Sequence, residues 1–249
     1  MNPRVSVIVP AYRCADTVEE TVRSALNGTM QEIELIAVDD GSGDGTAAVL
    51  ERLRNEDARV RVIALPENAG VANARNTGVK EAKADWIAFL DSDDVWEADK
   101  LARQLETAER TGASLVYTAA ACVDETGAMT GKLFSVPETV TANGLLKGND
   151  LITSTVLVKK TLAAKHPMER SDLHEDLICW YGILKDGAKA VGIDEPLVRY
   201  RVSKGSKSGD KKKSARMTWN TYKHLGIGVF RRIGCFIGYC LHGIKRYWL

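Results

Sequence analysis

The chain lacks several features that would narrow it at once. No stretch offers about eighteen uncharged apolar residues, so no membrane-spanning helix is expected. The formal net charge is only +1, which gives no chain-wide pull toward nucleic acid. The five cysteines, Cys14, Cys122, Cys179, Cys235 and Cys240, show neither metal-ligand spacing nor an even framework. They read as buried thiols of a reducing cytosol. A strand pattern begins almost at once, so no signal peptide is expected. There is no internal repeat and no long low-complexity segment. No glycine-rich loop ends in Gly-Lys-Ser/Thr, which excludes a phosphate-cradling P-loop. What remains is 249 residues, enough for one large α/β domain or for a domain with an appendage.

The stretch that organises the rest is Trp86-Ile87-Ala88-Phe89-Leu90-Asp91-Ser92-Asp93-Asp94. An apolar run of this kind reads as a buried parallel strand, and ligands of open α/β sheets bind beyond the carboxyl ends of such strands. Three carboxylates crowded there repel one another unless a positive group sits between them. A divalent metal and a polar substrate would supply that charge. The Asp91-x-Asp93 spacing suits this if the segment is extended, where residues i and i+2 project to one side. The bland alternative is a solvated acidic turn that caps the next helix.

Upstream, Val5-Ser6-Val7-Ile8-Val9 reads as a strand ended by Pro10, and Ala11-Tyr12-Arg13-Cys14-Ala15 as a loop. Asp16 with Glu19 looks like a helix start whose apolar face is Val18, Val22, Ala25 and Leu26. Glu34–Val38 is a second strand. It runs into Asp39-Asp40-Gly41-Ser42-Gly43-Asp44-Gly45-Thr46, either plain turn chemistry or a carboxylate poised for a base or ribose. Val60–Ala64 reads as a strand near an edge. The small residues of Asn68–Gly78 would let something approach a helix backbone closely, and Arg75 suits either a phosphate or one of the strand-end acids. Strand and helix alternate with polar clusters at the strand ends, which predicts a doubly wound, mainly parallel sheet.

Together these blocks resemble family-2 glycosyltransferases of the GT-A fold. The resemblance rests on Val5 to Tyr12, Val38-Asp39-Asp40-Gly41-Ser42, Asn68-Ala69-Gly70 with Ala74-Arg75-Asn76 and Gly78, and Phe89 to Asp94. It implies a nucleotide-sugar donor, usually a UDP-sugar, and a divalent metal, Mn²⁺ or Mg²⁺. By that resemblance Pro10, Ala11 and Tyr12 line the base pocket and Asp40 hydrogen-bonds the uracil. Asp91 reaches the ribose or sugar, and Asp93 faces the metal and diphosphate, with Ser92 between them. Asp94 is a neighbour of the metal. The chemistry agrees: a nucleoside diphosphate leaves only when its developing charge is neutralised, and hard cations prefer such oxygen ligands.

In the second half, Ala98–Arg110 reads as an amphipathic helix, Leu115–Ala119 as a strand, Val123–Gly127 as a hairpin turn, and Ser154–Val158 as a strand. Residues 128–150 are where acceptor-side variation is expected. His174-Glu175-Asp176 precedes an apolar-sided helix bearing Trp180. A helix-dipole contact explains acids there, worth about 0.3–1 kcal/mol. The family resemblance implies more: Asp176 as the general base that takes the acceptor's hydroxyl proton, with Glu175 positioning it or the acceptor. A single in-line displacement, hence inversion, follows from a base opposite the leaving group. The segment Tyr200-Arg201-Val202-Ser203 resembles a family stretch that often carries His where Ser203 stands. Arg201, Lys204 and Lys207 there read either as a solvated basic loop or as a lid screening the diphosphate.

From about Met217 the chain reads as helical. Lys223, His224, Arg231, Arg232, His242, Lys245 and Arg246 fall in one arc, and Val229, Phe230, Ile233, Phe236, Ile237, Cys240 and Ile244 in another. A basic amphipathic helix with aromatic ends is the composition of an in-plane membrane anchor. The bland reading packs the apolar face on the catalytic domain. The expectation is therefore a GT-A domain over residues 1–210 and a helical tail over 211–249. It would be an inverting enzyme, cytoplasmic and peripheral on the inner face of the cell membrane, serving a lipid-linked or surface-polysaccharide acceptor. Transfer to a polyprenyl phosphate, and a non-catalytic nucleotide-sugar-binding module, are the alternatives. The full acid set of Asp40, Asp91, Asp93 and Asp176 argues against the latter.

Overall fold

The computed structural model describes residues 2–202 and 211–248. Its centre is a mixed sheet. The strands are β1 (Val5–Ala11), β2 (Ile33–Asp39), β3 (Val60–Ala64), β4 (Trp86–Phe89), β5 (Val95–Trp96), β6 (Leu115–Val123), β7 (Met129–Phe134), β8 (Leu157–Lys159) and β9 (Ala190–Arg201). They run in the order β3-β2-β1-β4-β8-β6-β9-β5, with β7 hairpinned onto β6. From β3 to β4 the pairing is parallel. It turns antiparallel where β8 meets β4 and β6, and is parallel again between β6 and β9.

The helices are α1 (Val18–Leu26), α2 (Thr46–Glu56), α3 (Val71–Glu81), α4 (Lys100–Thr111), α5 (Ala142–Leu145), α6 (Lys160–Lys165), α7 (Glu175–Lys185), α8 (Lys211–His224) and α9 (Val229–Trp248). Alternation along the strands builds two apolar layers. Val5, Val7 and Val9 of β1 pack with Val18, Val22, Leu50 and Leu101 on one face. Ile8 packs with Val79, Phe89, Trp180 and Tyr222 on the other.

Several boundaries differ from the sequence expectation. β1 passes through Pro10, which pairs in register with Val38. Past Ile8 the strand has lost β4 as a neighbour, and a proline's missing N–H is tolerated where one side is open. α1 starts at Val18 without a side-chain cap, because Cys14 carbonyl accepts the N–H groups of Thr17 and Val18. The exposed Asp16 caps nothing there. Thr153–Thr155 forms a single 3₁₀ turn ahead of β8. The tail is two helices, broken at Gly226, whose φ of +68° favours glycine.

Candidate active site

The acids at the end of β4 do not lie in extended backbone. Asp94 N–H donates to Asp91 carbonyl at 3.1 Å, so Asp91-Ser92-Asp93-Asp94 is a tight turn. The i, i+2 argument for a shared face therefore fails, and a turn held from several sides replaces it. Asp91 N–H donates to Ser154 Oγ at 3.0 Å, and Thr17 Oγ1 donates to Ser92 carbonyl at 2.8 Å. Thr21 Oγ1 donates to Asp94 carbonyl at 2.9 Å. Arg201 completes the clamp: its N–H donates to Asp94 Oδ1 and its Nε to Asp93 carbonyl, both at 2.9 Å. Arg201 also reaches Asp124 and Glu125 carbonyls and Glu20. It braces the turn. Ser203, Lys204 and Lys207 lie outside the described residues.

Beside the turn opens a cleft of about 700 Å³. Pro10, Ala11, Tyr12, Asp40, Arg75, Asp91, Ser92 and Asp93 all line it. These residues come from four separate blocks, gathered because parallel strands present their carboxyl ends to one edge. Asp40 sits on the floor, 2% exposed, its two oxygens accepting from Ala69 and Gly70 N–H at 2.9 and 2.8 Å. Tyr12 stands at the mouth with the Arg13 guanidinium 5.2 Å above its ring.

Arg75 is buried and spans the site. Its Nη2 lies 2.6 Å from Asp91 Oδ1 and its Nη1 3.3 Å from Glu175 Oε1. Burial opposes its charge, but Asp91, Glu175 and Asp176 outweigh burial and hold it a cation. The pairing with a strand-end acid is present, and Arg75 is buried in it and lines the cleft. Glu175, at the start of α7, lines the cleft; Asp176 does not. Asp176 is half-buried, with Asn149 Nδ2 donating to its Oδ2 at 3.2 Å.

Burial and the neighbouring Asp91 push the Asp93 carboxyl up to about 6. Burial, with Asp93 and Asp91 alongside, also pushes Asp94 well above its usual range. Asp94 Oδ2 has no hydrogen-bond partner among the described residues. This is a site short of positive charge. No group of three or more His, Cys, Asp or Glu forms a closed cage among the described residues. The donor set fits a hard cation that keeps its waters and leans on substrate phosphates, which needs only one or two protein carboxylates.

Residues that pattern reading overlooked are Arg13, Ser154, Ser171 and Asn149. Arg13 carries a signal visible only in three dimensions, a φ of +50° at the cleft mouth. Ser154 sat inside an apolar strand pattern and gave no sign of supporting the turn.

A mixed sheet with an acid turn at the end of its fourth strand and a nucleotide-sized cleft is the architecture of GT-A glycosyltransferases. Solved structures of that class superpose on it. TarS of S. aureus, residues 1–349 with UDP-GlcNAc, matches at TM-score 0.73 and 17% identity, over 98% of this chain and 73% of that one. The mannosyltransferase PcManGT of Pyrobaculum calidifontis, with GDP-Man and Mn²⁺, matches at 0.71 and 20% identity, over 96% and 69%. The sequence narrows the class. The family model "Glycosyl transferase family 2" matches residues 6–154. The putative teichuronic acid biosynthesis glycosyltransferase TuaG of Bacillus subtilis (strain 168) is 34% identical over 98% of both chains. The UDP-Glc:alpha-D-GlcNAc-diphosphoundecaprenol beta-1,3-glucosyltransferase WfaP of Escherichia coli is 34% identical over 98% of this chain and 95% of its own. The chain belongs to glycosyl transferase family 2, and it is an enzyme, a glycosyltransferase.

Proposed function

We propose that the enzyme transfers a sugar from a UDP-sugar to a lipid-linked glycan acceptor, with inversion. The reading is carried by one observation: all eight donor-side residues read from the sequence line a single cleft. The names of TuaG and WfaP supply the acceptor class and the latter's UDP-Glc the donor class. In this reading Pro10, Ala11 and Tyr12 enclose the base, and Asp40 keeps lone pairs for its N–H. Asp91, fixed by Arg75, meets the ribose or sugar. Asp93, with Ser92 beside it, holds a divalent metal; when bound, that ion neutralises charge on the departing diphosphate. Asp176 takes the acceptor hydroxyl proton as that oxygen attacks the anomeric carbon, and the bond to the diphosphate oxygen breaks. Glu175, paired with Arg75, sets the start of α7 against the cleft.

The test is UDP release from UDP-, GDP- and dTDP-sugars, with and without Mn²⁺, using a synthetic GlcNAc-diphospholipid as acceptor. Turnover with a UDP-sugar, abolished by EDTA and restored by Mn²⁺ or Mg²⁺, is expected. Asp176→Asn is expected to keep UDP binding and lose transfer. Mild loss in that variant would favour direct transfer to a polyprenyl phosphate, whose anionic oxygen needs little base help.

We also read α9 as lying on the inner face of the cell membrane, with residues 1–210 as the catalytic domain. Arg232, Cys235, Phe236, Tyr239 and His242 face the protein: Arg232 and Phe236 meet Trp219, Cys235 is buried, and His242 contacts Asp150. Phe230, Ile233, Ile237, Leu241 and Ile244 share the opposite face, exposed between 46% and 92%. The bland reading, an apolar face packed on the domain, does not account for that. No described helix is long and apolar enough to cross a membrane. An in-plane helix with a large exposed apolar face suits a lipid surface.

A further inference from the structure

The segment between α5 and β8 joins two parts of the molecule that the mechanism treats separately. Asn149 Nδ2 donates to Asp176 Oδ2 at 3.2 Å. Asn149 Oδ1 accepts Leu151 N–H at 3.1 Å. That second bond fixes which way the amide faces, so the N–H edge is the one turned to Asp176. The next residue, Asp150, is bound from the tail: His242 Nε2 of α9 lies 2.8 Å from its Oδ1. Gly148 lies so close to the His242 ring that any side chain there would overlap it. The tail also reaches the start of α7 directly. Thr221 Oγ1 of α8 accepts His174 N–H at 3.2 Å, two residues before Asp176.

We infer that Asn149 is a positioning residue for Asp176, and that α9 holds it in place through His242 and Asp150. A carboxylate that must meet one proton in one direction gains from a neutral donor fixed on its far oxygen. The donor removes rotational freedom and leaves the other oxygen for the acceptor. The chain of contacts makes the lipid-facing helix part of the catalytic apparatus. A truncation before α8 would then lower turnover even on a soluble acceptor.

The inference rests on Asp176 being the base, and the experiment separates the two claims. Steady-state kinetics are measured on the full chain with the UDP-sugar that gives the fastest UDP release, across Asn149→Ala, Asn149→Asp and Asp176→Asn. Asn149→Asp keeps an acceptor for Leu151 N–H but sets a second carboxylate against Asp176. Asn149→Ala removes donor and acceptor without adding charge, so a loss shared by both marks the missing donor. The expected result is a fall in kcat of about 10- to 100-fold in both Asn149 variants, with donor KM unchanged. His242→Leu is expected to give a smaller fall of the same kind, and His242→Gln to restore it. Wild-type kcat in Asn149→Asp, or a loss confined to donor KM, overturns the inference and leaves the loop role alone. If Asp176→Asn itself turns over normally, it is the base assignment that falls.

Discussion

Asp93 and Asp94 illustrate how a single turn stores the charge problem that the enzyme exists to solve. A carboxyl whose folded pKa lies above its ordinary value of about 3.9 binds its proton more tightly in the native state. Ionising it therefore costs stability, and the cost grows as pH rises through the raised value. For Asp93 that window runs from about 4 to about 6, and Asp94 is raised in the same direction. Asp94→Asn removes the fully buried charge and keeps an acceptor for Arg201 N–H. It is expected to stabilise the metal-free fold at pH 8 by about 1 kcal/mol, or roughly 2–4 °C in Tm. At pH 4 the gain should vanish. Thermal melts of both proteins across that range check it, and a gain independent of pH would contradict it. Asp93→Asn is expected to lose the thermal shift that Mn²⁺ gives the wild type, alongside its loss of turnover.

The donor-side residues were legible as an ordered set and not singly: Asp40 and Asp91 to Asp93 alone read equally as turn acids, and Pro10, Ala11 and Tyr12 entered only through the family resemblance. Asn149 was not legible, since an isolated Asn in a weakly patterned stretch reads as a turn former. Only the fold brings it to Asp176. Arg201 reads from the sequence as part of either a solvated basic loop or a lid over the diphosphate, because a cation beside a strand end supports both. Four backbone and side-chain acceptors closer at hand took it instead.

Among elements, α3 shows what pattern can and cannot say. Its run of small residues announced a close approach without naming the partner. The partner is β1: a Cβ on Gly78 would overlap the Ile8 side chain. Gly78→Ala is expected to cost about 1–3 kcal/mol, the usual penalty for overpacking a filled core. Urea unfolding measures it, and a neutral result would mean that α3 floats more freely on the sheet than its contacts suggest. The same limit applies to α9. Periodicity separated an apolar face from a cationic one, but it could not tell which side meets the protein. The packing face cuts across both arcs, taking Phe236 from the apolar one and His242 from the cationic one beside Cys235 and Tyr239, by fit to Trp219 and to the loop at Gly148.

For the whole molecule, the donor half was readable as consecutive blocks because one βαβ series builds it. The surroundings of Asp176 are gathered from Asn149, the start of α7 and the tail, and no local pattern links them. β9 likewise runs for twelve residues where only its last few alternate clearly. The exposed face of α9 gives the molecule a directional surface. Replacing Phe230, Ile237 and Leu241 with glutamate is expected to abolish flotation with anionic vesicles and leave kcat on a short-chain acceptor unchanged. Those side chains point away from the domain, exposed at 92%, 55% and 63%. Flotation that survives the triple change would place the lipid contact elsewhere.

One guanidinium bridges the two halves, touching Asp91 from the strand series and Glu175 from α7. Arg75 is thus a seam. A hybrid enzyme that takes everything up to Trp96 from one relative and the remainder from another inherits a working joint only where an arginine in the first part meets a glutamate in the second. Recombination at that point is bounded by this pair together with the Arg201 bonds to Asp93 and Asp94 and the Asn76 bonds to Met168.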